Sequence, residues 1–362
     1  MILVAKISLM TLFIQTRKTR SALLTSFLFI CVLLCALLTA ACSSENERES
    51  LRFAGETMGT TYHVTLVANE GQPLRIDSAA IQSAVDAELK QFNQQMSTYI
   101  PDSELMLLNA AYINEWHSVS QPLYDVLNLS QMISERSGGA FDITVGPLVN
   151  LWGFGPDKHE DEVPNAETID EIRAIMGYQK LELNDERQAR KAADIKIDLS
   201  AIAKGFGVDK VADLIERNGV NNYMVEIGGE IRVGGVNAQG NHWRIAIEQP
   251  SLSQQGAHKI VGLSEVGMAT SGDYRNYFEK DGKRFSHTIN PVTGYPIEHA
   301  LVSVTVITKT AAEADAWATA INVLGPEKGM EAANREQLAV YMIVKESDGF
   351  SYRYSNAFSI YQ

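Results

Sequence analysis

The sequence predicts an α+β fold. Strand-like and helix-like patterns are interspersed without a strict strand–helix–strand rhythm, and the strand patterns concentrate in the second half. The chain has 362 residues, 45% of them hydrophobic, which suffices for one elaborated domain or two with a sizeable core.

The first 41 residues stand apart from that core. Lys6, Arg17, Lys18 and Arg20 form a basic leader without acids, and Ser21 to Ala41 is apolar or small throughout. This pattern predicts a secretory signal. The segment ends "LLTAAC", which resembles a bacterial lipobox and makes Cys42 the expected lipid site. Ser43 and Ser44 suggest outer-membrane sorting by the same resemblance. The alternative is a single transmembrane anchor, since about 20 apolar residues span a bilayer. Either route places the globular part on the periplasmic side of a membrane. All three cysteines, Cys31, Cys35 and Cys42, lie in or beside the leader. That excludes thiol nucleophiles, zinc–thiolate sites and redox CxxC chemistry from the body.

Residues 42–52 are expected as a tether, and 53–362 as the functional domain. "TTYHVTLVA" (60–68) alternates like a strand. Ile81, Val85, Leu89, Phe92 and Met96 recur at helical spacing. Pro101-Asp-Ser-Glu marks a turn and a helix start. A helix is expected from Pro122 to Arg136, stopped by Gly138-Gly139, and another from Asn165 to Met176. "KIDL" (196–199) reads as a strand feeding a helix over 202–218, with Ser200 or a neighbour as its cap. "YMVEIGGEIRVGG" predicts two strands joined at Gly228-Gly229. "HWRIAIE", "KIVGL" and "RFSHTI" are further strand candidates, and Asp281-Gly282 is a hairpin turn. "LVSVTVIT" (301–308) predicts a strand, residues 311–324 an alanine-rich helix closed by Gly325, and "LAVYMIV" a last buried strand.

Net charge is −13, and the leader's cations make the body more acidic still. Nucleic acid is therefore not an expected partner. A small anion would need local compensation, and three segments offer it. In "DLSAIAKGFGVDK" Lys204 lies at a helix start, where unpaired N–H groups favour an anion. The order Lys-Gly excludes a P-loop, which needs Gly-Lys-Ser/Thr. In "EADAWATA" Asp315 and Thr319 are four apart, hence on one helix face. Both are hard oxygen ligands, and Mg²⁺ needs few from a protein when phosphates and water complete its octahedron. In "HTINPVTGYPI" His287 precedes a tight turn and is a candidate general base. Each segment also has a plain structural reading: a surface lysine, a solvent-facing pair, a hydrogen-bonded strand histidine.

Taken in order, "ETMGTTYHV", "MSTYIPDSEL", "SGGAFDITVGPLVNLWGFG", "IDLSAIAKGFGVD", "VEIGGEIRVGG", "MATSGDYRNYF", "SHTINPVTGYPI" and "EADAWATA" resemble the ApbE family of FAD:protein FMN transferases. The resemblance covers residues 53–360. It implies a T-fold-like core of mixed sheet and helices with an added helical subdomain. It also implies a periplasmic or membrane-tethered enzyme that uses Mg²⁺ and takes FAD as substrate. Such an enzyme transfers FMN to a Ser or Thr hydroxyl of an acceptor protein, typically a subunit of an ion-pumping redox complex, and releases AMP. By the same resemblance, Met58, Tyr99, Ala140, Phe141, Asp142, Asp198, Lys204, Glu226 and Ile289 bind FAD, with the Glu226–Glu230 segment near the nucleotide. The Ala201 carbonyl, Asp315 and Thr319 hold Mg²⁺. His287, with Asp198 second, is the candidate base, and Lys204 adds positive potential. Asn290 stands where many relatives have aspartate. Two other classes stay open: an Mg²⁺-dependent FAD diphosphatase, and a non-catalytic flavin-binding lipoprotein.

Overall fold

The computed structural model of the chain describes residues 47–155, 163–248, 257–272, 277–280 and 283–362. The leader and Cys42 lie outside them, as does the Asp281-Gly282 turn. Among the described residues no helix is long and apolar enough to cross a membrane. Arg48–Gln362 is one compact unit.

Sheet structure begins before the strand expected from Thr60. Ser50–Thr57 (β1) pairs antiparallel with Thr60–Val67 (β2), so the end of the expected tether is already strand. Met58 and Gly59 join them with φ of 50° and 72°. Two left-handed residues match the twist of a tight hairpin. Helix α1 (Ser78–Met96) starts where the Asp77 carboxylate accepts from the N–H groups of Ala79 and Ala80, and it buries the expected stripe from Ile81 to Met96. Ser103 caps α2 (Glu104–Ala110). After β3 (His117–Ser118), Ser120 caps α3 (Gln121–Arg136). Gly138 and Gly139, both at positive φ, then turn the chain. Short α4 (Gly146–Leu151) precedes α5 (Ala166–Ile175), which Asn165 caps. Strands β4 (Leu181–Asn184) and β5 (Gln188–Lys191) join β3 in a small sheet.

Helix α6 (Ala203–Arg217) leads to β6 (Asn222–Ile227) and β7 (Glu230–Gly234), the expected hairpin around Gly228-Gly229. β8 (Trp243–Glu248) and β9 (Ala257–Leu263) pair with each other. β10 (Val266–Gly272) is followed by β11 (Tyr277–Lys280) and β12 (Lys283–Ser286), which pair antiparallel with each other. β13 (Leu301–Thr308), α7 (Ala311–Arg335), β14 (Ala339–Glu346) and β15 (Gly349–Tyr354) complete the order. The main sheet is antiparallel and runs β1-β2-β6-β7-β10-β13-β14-β15.

Both faces of its middle are covered. Val304, Val306, Val340 and Met342 pack with Trp317 and Ile321 of α7. Their strand neighbours Ile307, Tyr341 and Ile343 pack with Trp243, Ile245 and Val261 of the β8–β9 hairpin. That double cover is why β14 opens as a near-continuous apolar run, AVYMIV, and why even Ser303 and Thr305 of β13 are buried.

Three expectations are corrected. Residues 196–199 form no strand. Their place is fixed by the buried Asn109 side chain, which accepts from Ile197 N–H at 2.7 Å and donates to the Ile197 carbonyl at 2.9 Å. An amide thus imitates a neighbouring strand. Ser200 does not cap α6, whose first residue follows Ile202 with no side-chain cap. The strand in "RFSHTI" ends at Ser286, and Ile289 instead forms an isolated bridge with Pro296. Gly325, at φ 77° and ψ −178°, does break the alanine-rich helix, and Pro326 begins a second helical stretch that closes α7.

Candidate active site

A cleft of about 440 Å³ opens where the starts of α6 and α7 meet the β6–β7 turn, the end of β10 and the segment after β12. Of the residues expected to act together, Tyr99, Asp142, Asp198, Ala201, Lys204, His287, Ile289, Asp315 and Thr319 all line it, although they span 220 positions of sequence.

The centre is a charge cluster of two buried carboxyls and a half-buried lysine. Lys204 Nζ donates to Glu230 Oε1 at 2.9 Å and stands 3.9 Å from Asp315 Oδ2. Asp315 Oδ2 also accepts from the Gly205 N–H at 3.0 Å, so a carboxylate of α7 satisfies the first turn of α6. Gly205 permits this crossing. A Cβ there would stand 2.3 Å from the Ala311 carbonyl oxygen and 2.8 Å from Asp315 Cβ. The glycine beside Lys204 therefore serves helix packing rather than a phosphate loop. Lys204 is not the unpaired surface cation of the plain reading, nor a free anion hook, since two carboxylates already face it. Burial alone would lower its pKa; Asp315 and Glu230 outweigh that and hold it above the ordinary ammonium range. Burial, then repulsion from Asp315, pushes the Glu230 carboxyl up against the pull of Lys204. Burial likewise raises Asp315.

Asp198 lies between the Ile197 peptide that Asn109 holds and its own N–H, which donates to the Ile143 carbonyl at 2.7 Å. Its Oδ1 accepts from Ser200 N–H at 2.7 Å and from the Ser200 hydroxyl. The carboxylate thus shapes the turn carrying Ala201. Asp142 accepts from Thr144 N–H at 2.8 Å and Tyr178 N–H at 3.0 Å; burial raises its pKa against these donors. His287 follows β12, with the Phe154 ring edge-on at 6.3 Å between centroids. Thr319 lies 3.4 Å from the Ser271 hydroxyl. Tyr99 is 71% exposed at the rim.

Four expected residues lie outside the lining. Ala140 and Phe141 are core. Met58 packs between two core clusters and against Gly207 of α6. Glu226 accepts from the Gly229 N–H at 2.6 Å and pairs with His63 at 2.7 Å, which fixes the β6–β7 turn. Sequence reasoning passed over Asn322 and Asp209, and reached Glu230 only as the end of a segment that the resemblance places near the nucleotide. Asn322 had a legible signal, since it lies three residues after Thr319 on the same helix. Asp209 had none: its Oδ1 and Oδ2 accept from the N–H groups of Ala311 and Ala312, both at 2.9 Å, and so cap α7 from 102 positions away.

The donors suit a hard divalent cation. Asp315 Oδ1 receives no hydrogen bond from the described residues, Thr319 lies one helical turn on, and Ala201 faces the same cleft. Two carboxyls face one ammonium in a confined place, and a bound cation would favour the ionised forms that burial disfavours. Among the described residues no three His, Cys, Asp or Glu side chains gather around one point, so a metal here would depend on few protein ligands.

The chain is similar to known proteins over most of its length. The chain is 46% identical over 322 residues to a Vibrio cholerae protein named FAD:protein FMN transferase, covering 89% of this chain and 95% of that one. An Escherichia coli K12 protein of the same name is 41% identical over 336 residues, covering 90% and 94%. The solved flavin transferase ApbE of Vibrio cholerae superposes with a TM-score of 0.80 at 43% identity, over 87% of this chain and all of that one. An apbe protein of Thermotoga maritima gives 0.76 at 28%, over 86% and 99%. The ApbE family model matches residues 58–342, which contain every cleft residue named above. By sequence, fold and extent of match, this chain is an enzyme of the ApbE family.

Proposed function

We propose that the protein transfers FMN from FAD to a Ser or Thr hydroxyl of an acceptor protein in an Mg²⁺-dependent reaction. The names of its relatives support FAD as substrate and a protein as acceptor. The observation carrying the reading is the Asp315–Lys204–Glu230 cluster, with both carboxyls buried, beside Thr319 and Ala201 in a cleft large enough for part of a dinucleotide.

Mg²⁺ held by Asp315, Thr319 and the Ala201 carbonyl would supply charge neutralisation at the diphosphate. The chain's own groups do the rest. The acceptor oxygen attacks the FMN-side phosphorus, the bond to the AMP phosphate breaks, and AMP leaves with the electron pair. His287 takes the hydroxyl proton, with Asp198 as the second candidate. Lys204 faces the charge that grows on the phosphoryl oxygens. The product is a phosphoester-linked flavoprotein. The acceptor class we infer is a subunit of an ion-pumping redox complex. We further infer that the leader is cleaved before a lipidated Cys42, which tethers the domain to the periplasmic face of a membrane.

The test incubates the full chain with FAD, Mg²⁺ and a candidate acceptor subunit, and reads in-gel flavin fluorescence and an FMN mass increment on Ser or Thr. Chelation with EDTA and the variant Asp315→Ala should each abolish labelling while the variant stays folded by circular dichroism. Full labelling in Asp315→Ala refutes the metal assignment. Release of free FMN with no labelled protein assigns the diphosphatase reaction instead.

A further inference from the structure

Asn322 is the side chain whose chemistry the fold leaves most plainly unfinished. It is 1% exposed, and neither its Nδ2 nor its Oδ1 has a hydrogen-bond partner. Among the described residues no other side chain is orphaned at two atoms. It lines the cleft with Asp315 and Thr319, and its spacing of seven and three residues from them puts all three on one face of α7. The backbone there is held in place, because His299 Nε2 lies 2.7 Å from the Asn322 carbonyl oxygen just before the break at Gly325.

A buried amide without partners destabilises a fold, and a leucine of similar volume would not. The amide therefore has its partner in the ligand. A carboxamide presents a donor and an acceptor side by side. A phosphate would occupy only the donor, and a metal ion only the acceptor. The complementary group is an edge with a donor next to an acceptor. In the substrate of the proposed reaction, on which this step rests, two such edges exist: the pyrimidine edge of the isoalloxazine ring, and the N1/6-amino edge of adenine. We propose that Asn322 is a ring-recognition residue that pairs with one of these edges and so selects the heterocycle seated beside the diphosphate site.

The test uses the full chain and the variants Asn322→Leu and Asn322→Ala, with Mg²⁺ present and FMN and AMP as separate probes. Without ligand, Asn322→Leu should melt higher than wild type, by on the order of 2 °C, because an unsatisfied amide has been removed. In both variants the affinity for one probe should fall by about tenfold while the other is unchanged. Loss on FMN assigns the isoalloxazine edge, and loss on AMP assigns adenine. Should leucine fail to pack, the affinity split in Asn322→Ala decides. Wild-type affinity for both probes in the folded variants overturns the proposal, as does a lower melting temperature in a folded Asn322→Leu, which would mean that the amide has a structural partner. A wild-type chain that binds neither FMN nor AMP refutes the reading of the cleft itself, before any variant is compared.

Discussion

Replacing Gly205 by alanine adds one methyl group at the crossing of α6 and α7. The added Cβ would lie 2.3 Å from the Ala311 carbonyl oxygen, 2.6 Å from the Ala311 carbonyl carbon and 2.8 Å from Asp315 Cβ, where ordinary contact begins at 3.4 Å. The first two are backbone atoms and cannot rotate away, so the helices must part by roughly 1 Å. Overpacking of this kind costs about 1–3 kcal/mol, and alanine's better helix propensity returns about 1 kcal/mol. The net loss of stability is therefore modest, on the order of 1 kcal/mol. The effect on the site is larger. A shift of that size stretches the Gly205 N–H bond to Asp315, now 3.0 Å, to about 4 Å, which is beyond hydrogen-bond reach. It also displaces Asp315 from Lys204. Thermal unfolding and calorimetric titration with FAD in Mg²⁺ separate the two effects. The melting temperature should fall by only a few degrees, while FAD affinity falls about tenfold or more. Gly207→Ala is the control: its Cβ would meet Met58 Cε at 2.6 Å, the mobile end of a flexible side chain, and affinity should hold. Wild-type affinity in Gly205→Ala would show that the helix crossing does not set the site.

Asp209 links the same two helices to pH. Burial, working against its bonds to Ala312, Ala311 and Arg232, raises its carboxyl from the ordinary 3.8 to about 6. The folded form thus holds the proton more tightly than the unfolded one, so this stabilisation is full below pH 3.8 and is lost as pH rises through about 6. The stability difference between wild type and Asp209→Asn, followed by urea unfolding, should move against the wild type by up to about 3 kcal/mol between pH 4 and 7, and a flat difference would contradict the assignment. His287→Asn should lower the transfer rate constant by about 10²–10⁴-fold and leave FAD affinity nearly unchanged. An unaltered rate would move the base to Asp198 or to solvent.

Sequence showed most where local chemistry governs. The stripe of α1, the glycine pair that ends α3, the glycine pair between β6 and β7 and the break at Gly325 each follow from spacing or backbone preference within a few residues. It misled where a distant group does the local work. "KIDL" has a strand's alternation, yet its neighbour is an amide 88 positions away. The starts of α6 and α7 have one unlocal partner each, Asp315 for the first and Asp209 for the second, so no nearby cap marks α6. β1 was hidden because its burial merely alternates between exposed and intermediate on an edge strand. The site shows the same division. Asp315 and Thr319 were legible from a helical interval. The pairing of Glu230 with Lys204 was not, because only the fold of the hairpin brings the two together across 26 positions.

The cluster also bears on how an acidic protein receives an anionic dinucleotide. Lys204 cannot do it alone. Glu230 and Asp315 outnumber it, and burial raises both carboxyls above their ordinary range, so the floor of the cleft has no positive excess to hold a diphosphate. A divalent cation would favour the ionised form of both carboxyls and supply the missing positive charge, and the same lysine, held by two carboxyl groups, faces the phosphates with its orientation already fixed. Under the proposed reading, metal and dinucleotide are therefore coupled ligands, each raising affinity for the other by the same factor. The acidic cluster does not compete with the substrate. Under that same reading it makes substrate binding conditional on the cation of the proposed reaction, and it keeps an empty cleft from collecting other anions.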